Sequence, residues 1–303
     1  MHNDVTNQYV NEFIRLIKSL RCQKNLTLED LSNSTGIHRT ALGLIERGKK
    51  VPTLISAHQI ANALDSPLSE LVRDSELVVN GKISEGAILE QHVSREVDLA
   101  HLRNQGKFKE LTGLDSPVLV KVIDNCYQIL DTIDQQLIGF DSPPIEELVE
   151  LANLSSMIGN LFAGGLADYS EGIYTRNRPH AYPDLLPTGE GAVNLELKMA
   201  LETNKPKGHL PKAGNYITIR YVLGDGSGNY TRGKANRGNK VWIWEVKVGK
   251  VKVEDFSLSN TAGDSGKTAV IKTEVFNNMP LVYYVPKYLP YAKRDDETYP
   301  SFN

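Results

Sequence analysis

The sequence has little cysteine. Its 303 residues include two, Cys22 and Cys126, which lie far apart in the chain. A disulfide framework or a zinc site needs more ligands at closer spacing. We therefore expect both thiols to be reduced and buried, in a cytoplasmic protein.

Long apolar segments are also missing. No run approaches the roughly 20 apolar residues that cross a bilayer, and residues 1–8 lack the basic and apolar layout of a signal peptide. Three motifs are absent as well: the phosphate loop of nucleoside triphosphatases, the His-Glu-x-x-His of zinc proteases and the Gly-x-Ser-x-Gly of serine hydrolases. The sequence therefore predicts no membrane partner, no nucleoside triphosphate and neither of those two hydrolytic activities.

Neither sign of charge is in large excess. The chain has 34 Lys and Arg residues and 37 Asp and Glu residues, for a formal net charge of −3. A nucleic-acid-binding protein with this composition must rely on local clusters of Lys and Arg. At roughly 100–200 residues per domain, the length predicts two or three domains.

Residues 8–73 have the pattern of a compact helical domain with five short helices. Thr27 is placed to cap the second helix, which ends at Gly36. A third helix runs from about His38 to Arg47. The number of residues between the second and third helices is typical of a helix-turn-helix. This region closely resembles the Cro/CI repressor family. The residues that carry the resemblance are Leu26 to Ser32, Thr35 to Ile37, Leu42 to Lys49 and Pro52.

That resemblance implies that the third helix enters the major groove of duplex DNA. The positions it assigns to base contacts are His38, Arg39, Thr40 and Leu44. Arg39 suits guanine, whereas Leu44 departs from the family, in which a polar residue is usual, and offers only an apolar contact. A cluster suited to phosphates follows the helix: Arg47, Lys49 and Lys50. The alternatives are a solvated face for this cluster and a docking role for the whole module.

The rest of the chain is predicted to form a linker with a connecting helix over residues 74–114 and a second domain over 115–300. In this domain, helices over 116–138 and after Pro144 precede strands. The predicted strands are Val193–Met199, Asn215–Leu223, Lys240–Val248 and Leu281–Val285, with a short helix over Thr273–Met279. The predicted fold class is therefore α/β or α+β: an all-α N-terminal domain and a central mixed sheet flanked by helices.

The stretch from Pro183 to Lys198 offers a possible metal site. Glu196 and Lys198 are two positions apart in an alternating strand, so their side chains share one face while Leu197 turns to the core. Asp184 can reach the same site from a neighbouring strand. Mg²⁺ takes one or two carboxylates, keeps other sites for water and phosphate, and activates water for phosphodiester hydrolysis. We expect Asp184, Glu196 and the Leu197 carbonyl to bind Mg²⁺, and Lys198 to act on the water or the transition state.

Pro183, Asp184, Glu196 and Lys198 together resemble the PD-(D/E)XK nuclease superfamily, which includes many type II restriction endonucleases. The resemblance implies a restriction-endonuclease-like fold over residues 115–300 and a catalytic role for the last three residues. It also implies a Mg²⁺ cofactor and hydrolysis of double-stranded DNA. A homodimer would match the symmetry of a palindromic site. The function predicted is a type II site-specific deoxyribonuclease with an additional helix-turn-helix domain.

A second Glu-x-Lys pair competes with the first. Glu245 and Lys247 lie in the strand Lys240–Val248, with Asp225 as a possible partner that no proline precedes. We favour Glu196 and Lys198, because their predicted partner Asp184 follows a proline, Pro183. A further acid from an earlier segment is left open among three residues: Glu147, Glu150 and Glu171.

The loop before this strand is basic and rich in glycine. Its predicted DNA contacts are Arg232, Lys234, Asn236, Arg237 and Lys240, since Arg can read guanine and Asn adenine. The alternative is a solvated loop. For the whole chain the main rival of the nuclease is a transcriptional regulator of Cro/CI type, in which the C-terminal part forms an oligomer or senses a ligand.

Overall fold

A computed structural model describes residues 2–24, 26–82, 84–86, 88, 95, 97–140, 142–179, 181–259 and 268–291. The chain forms two compact units. The N-terminal unit comprises residues 1–94 and 135–142, and the C-terminal unit comprises residues 95–134 and 143–303. Among the described residues, no helix is long and apolar enough to cross a membrane.

Helices build the N-terminal unit, as the sequence predicts. They are α1 (His2–Gln23), α2 (Leu28–Thr35), α3 (Arg39–Glu46), α4 (Leu54–Ala63) and α5 (Leu68–Val79). Thr27 caps α2 in a capping box with Asp30, and Gly36 ends that helix in the left-handed conformation at φ 70°. The core of this unit gathers apolar side chains from all five helices, and they include Ile17, Leu31, Leu42, Ile60 and Leu71.

The boundary predicted between residues 73 and 74 lies inside helix α5. Ser75 and Leu77 are buried, so this helix continues to Val79 before it ends. Residues 95–114, predicted as part of a linker, belong to the C-terminal unit. There Leu102 and Phe108 are 7% and 0% exposed in its main core.

The helices of the C-terminal unit are mostly those that the periodicity predicts. They are α6 (Gln105–Thr112), α7 (Pro117–Gly139), α8 (Ile145–Leu148), α9 (Leu151–Tyr169) and α10 (Thr273–Asn278). The last residues of α7 pass into the N-terminal unit. The helix predicted after Pro144 is in fact two, because the backbone is extended at Val149 and Glu150.

Two sheets complete the C-terminal unit. The larger contains β1 (Tyr174–Arg176), β2 (Leu185–Pro187), β3 (Leu195–Leu201), β5 (Gly214–Gly224), β6 (Lys240–Val251) and β9 (Leu281–Tyr284), in that spatial order. Strands β3 and β5 are parallel and the other neighbours are antiparallel, so the sheet is mixed, as predicted. The smaller sheet has the order β4 (Lys207–Gly208), β8 (Thr268–Ile271), β7 (Phe256–Ser259).

Helix α9 covers the strands at one side of the larger sheet. It packs against β1 and β3. A Cβ on Gly159 would lie 3.4 Å from the Met199 side chain, so α9 and β3 are in close contact at this point. Strands β5 and β6 are buried along most of their length, which fits their many apolar and aromatic residues. The end of β3 near Glu196 is therefore held between a helix and a central strand.

Candidate functional sites

Helix α3 presents its N-terminal end to solvent because its apolar side is buried. Leu42 and Ile45 are 1% and 2% exposed in the core of the N-terminal unit. Arg39 and Thr40 are exposed, whereas Leu44 is half-buried. Arg39 and Thr40 therefore lie where DNA can reach them, and Leu44 is partly covered.

His38 caps the same helix. Its Nδ1 accepts a hydrogen bond from the Thr40 amide at 3.3 Å, and its ring is exposed. Arg39 Nε lies 3.9 Å from Glu29 Oε2, an exposed pair that costs little to break. The residues after the helix that are predicted to contact phosphate are all exposed: Arg47, Lys49 and Lys50. The surface predicted to meet DNA is therefore accessible at both ends of α3.

In the C-terminal unit, Asp184, Glu196 and Lys198 come together. Asp184 Oδ2 accepts a hydrogen bond from the Leu197 amide at 2.7 Å, which ties the segment before β2 to β3. Lys198 Nζ donates to Glu196 Oε1 at 2.5 Å. The structure thus unites the three residues that the spacing predicted, at one end of β3.

Glu196 has one oxygen without a partner. Its Oε2 is buried and makes no hydrogen bond to any described residue. Burial raises the pKa of Glu196 above its ordinary value; Lys198 opposes this rise and Asp184 adds to it. An unpaired carboxylate oxygen in such a place is costly, so a bound cation or proton would stabilise it.

Tyr182 helps to hold in place the segment that carries Asp184. Its hydroxyl donates to the Ala213 carbonyl at 2.7 Å, and Lys212 Nζ lies 4.3 Å from the centre of its ring. A Cβ at Gly214 would overlap this hydroxyl, so only glycine leaves room for it there. This role of Tyr182 could not be predicted from the sequence, because a tyrosine before Pro183 carries no spacing signal.

A cleft of about 1430 Å³ opens around the acidic pair. Helix α9 contributes Ser155, Ser156 and Asn160 to its lining. Its basic side chains are Arg176, Arg178, Lys198, Lys205, Lys207, Lys212 and Arg237, and its carboxylates are Asp184 and Glu196. Most of these basic residues were not predicted, because they come from separate loops and strand ends that only the fold brings together.

The competing Glu-x-Lys pair is structural. Glu245 is 0% exposed, and its two oxygens accept from Arg220 Nε and Nη2 at 2.6 Å each. Lys247 is also 0% exposed and donates to the Phe276 carbonyl at 2.9 Å. Burial lowers the pKa of Lys247 to about 8. Asp225 accepts from Asn229 in a turn. This pair therefore lies in the core, where solvent does not reach it.

None of the three candidates for an additional acidic residue at the site lines the cleft. Glu147, Glu150 and Glu171 are all exposed and belong to other surfaces. The buried acid of this region is Glu146, which is 8% exposed and which spacing did not indicate. No group of three or more His, Cys, Asp or Glu side chains in the described ranges is placed to hold a metal.

The basic loop is only partly available to DNA. Arg232, Lys234 and Asn236 are exposed, as predicted. Arg237 instead forms a two-pronged ion pair with Glu202, at 2.7 and 3.0 Å.

Lys240 departs most from its predicted place. It is 8% exposed and donates to Asp134 at 2.5 Å, because it starts the buried strand β6. The prediction of a DNA contact at Lys240 is therefore corrected: its ammonium group is held inside the C-terminal unit.

Comparison with known proteins bears on the N-terminal unit. A family model described as a helix-turn-helix matches residues 17–71. The chain is similar to the transcriptional repressor RstR of a cryptic CTXphi phage of Vibrio cholerae, with 30% identity over 71 residues. That match covers 23% of this chain and 64% of the repressor, just under two thirds of its length. The N-terminal unit therefore contains a helix-turn-helix domain, as predicted.

One similar solved structure is the restriction-modification controller protein C.AhdI from Aeromonas hydrophila. It is 33% identical, and the match covers 21% of this chain and 94% of the controller, with a TM-score of 0.20.

These findings correct the predicted function. The helix-turn-helix match and the similarity to a transcriptional repressor contradict the prediction of a type II restriction endonuclease and favour the regulator that was its alternative. The predicted deoxyribonuclease activity has no support from the comparisons, and the Mg²⁺ cofactor stays a prediction.

Proposed function

We propose that the chain is a sequence-specific transcriptional regulator that binds duplex DNA through helix α3. The observation that carries this proposal is the exposure of Arg39 and Thr40 on the third helix of a domain that matches the helix-turn-helix family. A bidentate contact from Arg39 to guanine would account for about 1–3 kcal/mol of base discrimination. Lys49 and Lys50 would add phosphate contacts that carry no sequence preference.

The C-terminal unit would then be the sensor domain. Ligand pockets usually measure about 300–1,000 Å³, and the cleft of this unit, at about 1430 Å³, exceeds that range. Its floor carries a buried carboxylate oxygen without a partner, on Glu196. A cleft whose lining includes a buried carboxylate oxygen without a partner supports ligand binding better than a purely structural role.

A divalent cation is part of this proposal, with Asp184 and Glu196 as its ligands. The unpaired Glu196 Oε2 fits a cation, and two carboxylates are what Mg²⁺ commonly takes from a protein. When bound, the ion would supply positive charge that attracts anionic groups of the sensed molecule. The nuclease-like identity of the fold, and a role of the Leu197 carbonyl as a ligand, stay predictions.

We also propose that the regulator acts as a homodimer. Two copies of helix α3 would read two half-sites about one helical turn apart, in an operator with two-fold symmetry. Light scattering coupled to size-exclusion chromatography measures this directly, and a monomer at operator-saturating concentrations would contradict it.

The experiment that tests the regulator is selection of bound sequences from a random duplex pool by the full chain. We expect one symmetric sequence to emerge. Arg39→Ala should weaken its binding by about 5- to 150-fold, the equivalent of 1–3 kcal/mol. Arg15→Ala is the matched control, since Arg15 is exposed on α1 of the same unit, outside helix α3.

The same binding reactions, with Mg²⁺ or with EDTA, test the correction of function. A regulator shifts the duplex and leaves both strands intact in either condition. Cut strands in Mg²⁺ that EDTA prevents would overturn the proposal, as would a pool with no enriched sequence.

A further inference from the structure

The cleft of the C-terminal unit has a charge opposite to that of the whole chain. Its lining includes seven Lys and Arg residues and two carboxylates, whereas the chain as a whole has a formal net charge of −3. Like charges gathered around one cavity repel each other, so such a concentration stabilises the protein only when an anion joins them. The charge of the cleft therefore points to an anionic ligand.

Two of these cations have no partner of their own. Arg178 and Lys207 are exposed, and neither side chain forms an ion pair or hydrogen bond with any other described residue. They differ from Arg237, whose guanidinium is taken by Glu202 at 2.7 and 3.0 Å. Arg178 and Lys207 are therefore available to a ligand without the loss of an existing contact.

Three further cations are held in place by uncharged groups. Arg176 Nη2 lies 3.3 Å from Asn160 Oδ1, Lys205 Nζ lies 2.8 Å from Thr273 Oγ1, and Lys212 stacks on a tyrosine ring. These contacts orient the three side chains, and none of them is made to a carboxylate.

We propose that the cleft binds a phosphate-bearing ligand through Arg176, Arg178, Lys205, Lys207 and Lys212. The proposal rests on the sensor role proposed above and names the chemical class that the sensor recognises. Phosphate is favoured over a lone carboxylate because several separate cations line one cavity, and phosphate groups carry more charge and more acceptor oxygens. A divalent ion at Asp184 and Glu196 would join the same ligand, since Mg²⁺ commonly bridges carboxylates and phosphates.

The test measures binding of two probes to the full chain in Mg²⁺ by calorimetry. Inorganic pyrophosphate represents a free phosphate compound, and a single-stranded oligodeoxynucleotide represents a polynucleotide. The double variant Arg178→Glu with Lys207→Glu should weaken the probe that binds by at least about tenfold, since two attractive charges become repulsive. Competition between the two probes shows which source of phosphate the cleft prefers.

The matched control is Lys121→Glu with Lys250→Glu. Both lysines are exposed in the same unit, lie outside the cleft lining, and give the same change of net charge. Unchanged binding in this control supports the proposal. Equal weakening in both double variants, or no binding of either probe by the unaltered chain, overturns it.

Operator binding separates this proposal from the one on which it rests. The cleft variant should retain the affinity of the unaltered chain for the selected operator, because it leaves helix α3 unchanged. Loss of the phosphate probe with operator binding intact supports both proposals. If the chain binds an operator but neither probe, the proposed phosphate ligand alone is overturned. If the chain selects no operator but still binds a probe, the proposed regulator alone is overturned.

Discussion

Replacing Glu245 by Gln tests whether the second Glu-x-Lys strand belongs to the core. Both Glu245 oxygens accept from Arg220 at 2.6 Å, and the two residues are 0% and 1% exposed. The Arg220 guanidinium also lies 4.2 Å from the centre of the Trp244 ring. Glu245→Gln removes the charge that compensates this guanidinium in a dry environment. Breaking one partner of a buried ion pair costs about 3–5 kcal/mol of unfolding free energy.

Tryptophan fluorescence during urea unfolding measures this loss selectively. The two tryptophans of the chain, Trp242 and Trp244, both lie in the C-terminal unit, so their emission follows that unit alone. With a urea slope of roughly 2–3 kcal/mol/M, a loss of 3–5 kcal/mol lowers the midpoint by about 1–2.5 M.

Glu196→Gln is the matched comparison, since Glu196 occupies the same motif in strand β3. Its Oε2 is buried without a partner, and burial raises its pKa, so the neutral amide should leave stability within about 1 kcal/mol or increase it. An equal loss in the two variants, or an unchanged midpoint for Glu245→Gln, would refute this assignment of a structural and a functional pair.

Three other outcomes follow from the described contacts. Burial raises the folded pKa of Glu146 from 4.5 to about 7, so the wild type loses stability as pH rises through that window. Glu146→Gln should therefore gain about 3 kcal/mol over wild type between pH 5 and pH 8 in urea titrations, and a pH-independent difference contradicts this. Gly214→Ala should displace Tyr182 and weaken Mg²⁺ binding in calorimetry, whereas unchanged binding argues against a role of Tyr182 in positioning Asp184. Lys49→Ala with Lys50→Ala should lower the salt slope of operator binding by about 2, and an unchanged slope removes them from the interface.

The charge balance around Glu146 explains the direction of its titration. Arg95 pairs with Asp131, and Lys240 pairs with Asp134, so two cations already face two anions. Neither Glu146 oxygen has a hydrogen-bond partner on another described residue. An ionised Glu146 would add an unbalanced charge to this buried cluster, which is why burial, with Asp134 beside it, favours the protonated form.

Features that depend on neighbouring positions could be predicted from the sequence. Thr27 and Gly36 bound helix α2 because capping and left-handed backbone are local properties. The shared face of Glu196 and Lys198 follows from the two-residue period of a strand. These local rules predict the helix-turn-helix and the alternating strand.

Features that depend on distant partners could not be predicted. Lys240 follows a basic loop and was expected at the surface, but its partner Asp134 lies 106 positions away. Arg178 and Lys207 meet in one cleft although no motif links them. Burial of a charge and convergence of charges are set by packing between segments, which composition and spacing do not record.

The two Glu-x-Lys strands show why a short motif predicts function poorly. Glu245 lies opposite Arg220 in the register of β5 and β6, so the neighbouring strand neutralises it. Glu196 lies opposite Tyr216 in the parallel register of β3 and β5, where no cation is supplied from across the strand. The same pair of residue types, Glu and Lys two positions apart, is thus structural in β6 and available to a ligand in β3. Four matching residues specify a local geometry, whereas the family match over residues 17–71 covers a whole helix-turn-helix, and the proposed regulator rests on that match.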